Sequence, residues 1–192
     1  MNDFMKPCSS VLVGVACLIG VATLAAAQMP AFKPLTPQSK MAVNGIGPVR
    51  IGMTLAKAID ATQVSWKVEY AVSDGDCRYA HPENVPKGTD GYPTLSFMVV
   101  DGVVVRAEVG RRGIVTVSGV QVGDTEARVK TVYPGKIKVE EHPYDEKGHY
   151  LIYTPTDRKD AKFRIIFETD GKVVTSYRAG RVPEVGWIEG CL

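Results

Sequence analysis

The apolar positions of this chain change their period several times, and each change marks an element. Leu55, Ala58 and Ile59 fall on one face at helical spacing, as do Val129, Val132 and Tyr133 further on. A threonine opens each run, Thr54 or Thr125, whose hydroxyl suits the first free amides of a helix, and Gly52 or Gly123 just ahead lets the chain turn. Glu126 suits the positive end of the second helix, and Pro134-Gly135 stops it. After each helix the period shortens to two. Val64, Trp66, Val68 and Tyr70 alternate with polar residues, Asp74-Gly75 predicts a turn, and Cys77 to Ala80 predicts the returning strand. Ile137 to Glu141 and Tyr150 to Tyr153 form the corresponding later pair, turning near Gly148. The sharpest signals are two hairpins, Leu95 to Val100 with Val103 to Val109, and Phe163 to Thr169 with Lys172 to Arg178. Asp101-Gly102 and Asp170-Gly171 join them, and Asp-Gly accepts the two positive φ angles of a type I′ turn.

The same order of signals occurs twice. Val49-Arg50-Ile51-Gly52-Met53-Thr54-Leu55-Ala56 matches Val120-Gln121-Val122-Gly123-Asp124-Thr125-Glu126-Ala127, and the two Asp-Gly hairpins follow at nearly the same spacing. The expected fold class is α+β: two tandem helix-plus-antiparallel-strand repeats, about 46–110 and 119–179, sharing one continuous antiparallel sheet with helices on one face. This pattern resembles the β-lactamase inhibitory protein family and, more loosely, the small outer-membrane-assembly lipoproteins. The resemblance implies a long concave sheet that grips a partner protein. The cysteines depart from the first family, which ties each repeat internally.

The amino terminus changes the setting of that domain. Lys6 leads into an apolar run from Val11 to Leu24 and then Ala25-Ala26-Ala27, so residues 1–27 read as a cleavable signal peptide. The apolar core is short for a membrane span, and Gln28 onward is polar and proline-containing. A lipoprotein modified at Cys17 is the rival reading. Residues 28–43, with Pro30, Pro34 and Pro37, are expected to be a tether, and 44–192 a single globular domain with a C-terminal tail. Two cysteines remain after cleavage, Cys77 and Cys191, which in an oxidising compartment most simply form one disulfide. The expected location is periplasmic or secreted, with no transmembrane span after signal removal. A net charge of +2 lacks the clustered positive field that nucleic acid requires, so no nucleic-acid partner is expected.

Candidate chemistry is sparse. His81, His142 and His149 show no metal-ligand spacing, although His142 and His149 could face each other across a hairpin with Glu140 or Glu141 near. Asp74-Gly75-Asp76 lacks the later Gly and closing Glu of a calcium loop, and Glu140-Glu141 sits in a strand, where neighbours point to opposite faces. No nucleophile elbow, Walker loop or dinucleotide fingerprint occurs, so no catalytic residue, metal or cofactor is expected.

The hairpins are apolar on both faces. With two-residue turns, Phe163, Ile165, Phe167 and Val174 share a core face with Met98, Val100, Val103, Val105 and Ala107. Leu95, Phe97, Val99, Ile166 and Tyr177 then lie on the opposite face, edged by Arg106, Arg164 and Arg178. Either the tether or the tail Val185-Gly186-Trp187-Ile188 covers that face, or it stays exposed to dock a protein. The candidate binding residues are therefore Leu95, Phe97, Val99, Arg106, Ile166 and Tyr177. The expected function is an exported non-enzymatic binding protein of a bacterial-type cell envelope, with a protein partner. A secreted inhibitor of an enzyme such as a β-lactamase or lysozyme, and a hydrolase without a recognisable motif, are the alternatives.

Overall fold

Eight strands meet along one transverse row of apolar side chains: Val68, Ala80, Phe97, Ala107, Ala179, Ile165, Tyr153 and Ile137, each paired with the next. The computed structural model describes residues 34–70 and 76–191. The signal segment, its cleavage point, Cys17 and the Asp74-Gly75 turn lie outside the described residues.

Three short strands, β1 (Met41–Ala42), β2 (Gly45–Ile46) and β3 (Val49–Arg50), form a small antiparallel sheet. Helix α1 (Leu55–Thr62) leads into β4 (Trp66–Tyr70), β5 (Cys77–Pro82), β6 (Leu95–Val100) and β7 (Val103–Val109). Helix α2 (Glu126–Val132) leads into β8 (Ile137–His142), β9 (Asp145–Tyr153), β10 (Phe163–Thr169) and β11 (Val174–Arg181). The large sheet has the order β4-β5-β6-β7-β11-β10-β9-β8 and is antiparallel throughout. Both helices start where the hydroxyls predict: Thr54 Oγ1 accepts from the amide of Lys57 and Thr125 Oγ1 from that of Arg128. Ala58 of α1 and Val129 of α2 join Phe97, Phe167, Leu151 and Tyr177 in one interior cluster.

The segment expected to be a tether is part of the fold from Leu35 onward. Leu35 and Met41 are fully buried in the same interior cluster, and Asn84 Nδ2 donates to the Leu35 carbonyl at 2.6 Å. The Met41 amide donates to the Val115 carbonyl at 2.9 Å, stitching β1 to the loop between the two helix-led halves.

Hairpin register corrects the expected faces. Asp101 and Gly102 adopt the two positive φ angles, 50° and 73°, and Val100 pairs with Val103 as predicted. A bulge between Met98 and Val99 then shifts the partner, so Phe97 faces Ala107 and Met98 faces Arg106. The second hairpin departs further. The Asp170 carboxylate accepts from the amides of Lys172 and Val173, drawing four residues into the loop rather than two. With another bulge at Glu168/Thr169, Phe167 pairs with Tyr177 instead of Val174, and Ile165 with Ala179 instead of Ser176. An odd shift turns a strand over. Tyr177 thereby joins Phe167 in the interior, beside Leu95, Phe97 and Val99. The β8–β9 hairpin also turns earlier than expected, with His142 opposite Asp145 and a register shift next to it.

Candidate functional site

On the other face of the large sheet the rows are mixed in character. One runs Ser96, Glu108, Arg178, Ile166, Ile152, Lys138, and its neighbour runs Glu69, Tyr79, Met98, Arg106, Gly180, Arg164. Chain beyond β11 crosses these rows as a strap. Its one-turn 3-10 helix, Glu184–Gly186, packs on β7, β10 and β11, and its end reaches β5, where Cys191 is bonded to Cys77 with 5.3 Å between their Cα atoms. Gly190 lies flat on Tyr79: a Cβ there would sit 2.6 Å from the Tyr79 hydroxyl oxygen.

Two arginines hold the strap by its backbone. Arg106, 2% exposed, donates from Nη1 to the carbonyls of Glu184 at 3.0 Å and Trp187 at 2.7 Å, from Nη2 to the Tyr79 hydroxyl at 3.1 Å, and from Nε to Glu108 at 2.7 Å. Arg178, 8% exposed, donates from Nε to the Val185 carbonyl at 2.8 Å and from Nη1 to Glu168 Oε2 at 3.3 Å, with its guanidinium over the Tyr150 ring. A buried guanidinium requires such saturation, because leaving its charge unpaired in low dielectric costs several kcal/mol. Beside the two arginines lies a recess of about 190 Å³, also bordered by Tyr79, Ser176, Ile188 and Glu189. Burial pushes the Tyr79 and Tyr150 hydroxyls above the ordinary tyrosine range, so both stay protonated and available as donors.

The apolar part of the strap is split. Val185 is inserted among Tyr150, Ile166 and Ile152, a cluster separate from the main interior. Trp187 and Ile188, in contrast, are 39% and 46% exposed, and Tyr144, 71% exposed, reaches the strap through a hydrogen bond from its hydroxyl to Glu189.

The six candidate binding residues are thus divided and covered. Leu95, Phe97, Val99 and Tyr177 are interior, packed under the helices and the small sheet. Ile166 and Arg106 are on the strap face, but beneath Val185 and the strap carbonyls. An exposed patch of these residues is corrected to two buried layers. Arg164, expected at the edge, donates to the carbonyls of Ala161 and Phe163 in its own neighbourhood. Residues that sequence reasoning passed over as functional are Tyr79, Glu108, Glu168 and Tyr144; the alternation of β5, β7 and β10 was the available signal for the first three. The histidines belong to separate groups: His142 Nε2 is 3.3 Å from Glu168, His149 Nδ1 is 2.7 Å from Glu126, and His81 Nδ1 is 3.1 Å from Ser96. Among the described residues no group of three or more His, Cys, Asp or Glu is placed to hold a metal ion, and no helix is long and apolar enough to cross a membrane.

No family model matches the chain, and no curated protein matches it. Among solved structures, the chain is similar to the uncharacterized protein yfeY from Escherichia coli, at 15% identity and a TM-score of 0.50. The match covers 74% of this chain and 99% of that one. At that identity the likeness speaks for the fold alone.

Proposed function

We propose that the protein is an exported, non-enzymatic binding protein of the cell envelope, periplasmic or secreted, that docks a protein partner on the outer surface of its C-terminal strap. The observation that carries this reading is the exposure of Trp187 and Ile188 on a segment whose backbone is fixed by two buried arginines and a disulfide. Aromatic and aliphatic side chains on a rigid support supply contact area at low ordering cost. Tyr144 extends the surface beside them. Export is supported by the leader-like start and by the Cys77–Cys191 bond, which suits an oxidising compartment. The two helix-led, four-strand meanders, joined at β7 and β11, support the reading that the halves descend from one duplicated unit, as the resemblance to the β-lactamase inhibitory protein family implies.

The test is capture by oxidised protein. Immobilised mature chain and its Trp187→Ser/Ile188→Ser variant are exposed to the same envelope extract. A protein retained by the first and lost by the second, with unchanged melting temperature, is the expected outcome. Identical retention by both, or turnover of an envelope substrate by the purified chain, contradicts the reading.

A further inference from the structure

We propose that the sheet surface covered by the strap is itself a peptide-binding site, filled in cis by the chain's own C-terminal segment and reserved for it by the Cys77–Cys191 bond. It goes beyond the outer-surface reading, since it concerns the opposite side of the strap.

The contacts under the strap combine two features by which proteins hold peptides, capture of the main chain and a socket for one side chain. Three main-chain carbonyls, those of Glu184, Val185 and Trp187, accept from side-chain donors of Arg106 and Arg178. One aliphatic side chain, Val185, enters an apolar socket made by Tyr150, Ile166 and Ile152. Backbone capture gives affinity without reading side chains, and the socket reads one residue. The occupant this geometry fits is a segment that makes one 3-10 turn about a small branched aliphatic residue, whose own carbonyl, the preceding one and the second following one point at the arginines. Glu108 and Glu168, both on strands of the sheet, accept from Arg106 Nε at 2.7 Å and Arg178 Nη1 at 3.3 Å, so these contacts with the two guanidinium groups do not involve the strap.

The disulfide decides which segment sits there. A strap tethered at both ends has an effective concentration that a free peptide does not match. Exchange removes one tether: the thiolate of an incoming peptide cysteine attacks the Cys77 sulfur, a new S–S bond forms to Cys77, and Cys191 leaves as thiolate. One S–S bond is made for the one broken, so no oxidant is consumed.

Two measurements test this. In the full mature chain carrying Cys77→Ser, Cys191→Ser and Val185→Asp, the strap is unlinked and its own residue no longer suits the socket. The probe is a fluorescent synthetic peptide with the sequence of residues 182–190. Saturable binding to this variant is expected, with none to the oxidised parent at the same concentrations. A probe carrying Val185→Asp should bind roughly tenfold more weakly or worse. Equal binding of the two probes, or none to a folded variant, overturns the proposal. The second measurement uses the unaltered chain in glutathione buffer with a probe of residues 182–191, whose cysteine can exchange onto Cys77. Mass spectrometry should find the mixed disulfide roughly tenfold more with the valine probe than with the aspartate probe. Equal accumulation, or none from either, overturns it. Neither readout depends on Trp187 and Ile188 docking a partner, so failure here leaves the outer-surface test standing, and the reverse.

Discussion

On the interior face of the large sheet, Phe97, Ala107, Ala179 and Ile165 lie side by side and are closed over by the helices, the small sheet and Leu35 and Met41. On the strap face the same four strands present Met98, Arg106, Gly180 and Arg164, closed over by ten residues of irregular chain. Fractional burial hardly distinguishes the two: Phe97 is 0% exposed and Arg106 is 2% exposed. What differs is the force that closes them. Apolar contact on the first face is non-directional and depends on volume. On the second, directed hydrogen bonds from two cations and one covalent bond join a single apolar contact, that of Val185, so each link carries a larger share of the closure.

The largest effect is expected inside. Phe97→Ala and Phe167→Ala should each cost about 3–5 kcal/mol, because each leaves a cavity in a close-packed layer. Thermal or urea unfolding of both variants checks this; a mild Phe97→Ala beside a severe Phe167→Ala would return Phe97 to an open face. Reduction of Cys77–Cys191 comes next. The bond joins cysteines 114 positions apart, and such cross-links typically contribute about 2–4 kcal/mol. A melting temperature that reductant leaves unchanged would contradict the strap's part in closing the second face.

The junction of helix α2 with the sheet gives a pH-dependent contrast. Desolvation works to raise the Glu126 carboxyl, but hydrogen bonds from Thr169, His149 and Lys130 outweigh it and hold the group below its usual 4.5. A depressed folded-state value contributes stability above the ordinary glutamate range, and that contribution is lost as pH falls below it. Glu126→Gln should therefore destabilise near neutral pH and make little difference under strongly acidic conditions. A difference that persists unchanged in acid would remove Glu126 from this account. The smallest expected effects are at the helix starts. Thr54→Ala and Thr125→Ala should each cost about 1 kcal/mol, since each removes one side-chain acceptor from an otherwise unpaired amide. A loss of several kcal/mol at either would mean that the hydroxyl has a role beyond capping.

What could be read in advance followed from local chemistry. Thr54, Thr125 and the Asp101-Gly102 turn act within four residues of themselves, so their roles are visible in sequence. The Cys77–Cys191 link was legible because few cysteines left few choices. Faces were harder. One bulge in each hairpin, at Met98/Val99 and at Glu168/Thr169, left its register displaced by an odd count, and period-two alternation carries no mark of such a shift. The strap site was illegible for a different reason. Arg106 meets the carbonyls of residues 78 and 81 positions away, and a carbonyl is common to every residue type, so no side-chain pattern announces the contact.

Hydrogen–deuterium exchange of the mature chain, with and without reductant, tests most directly the claim that the two faces are closed by different means. After reduction at neutral pH, amides of residues 182–191 should exchange faster, while those of β6, β7, β10 and β11 keep their protection. Strap and strands losing protection together, or neither changing, would show one cooperative closure and contradict the account.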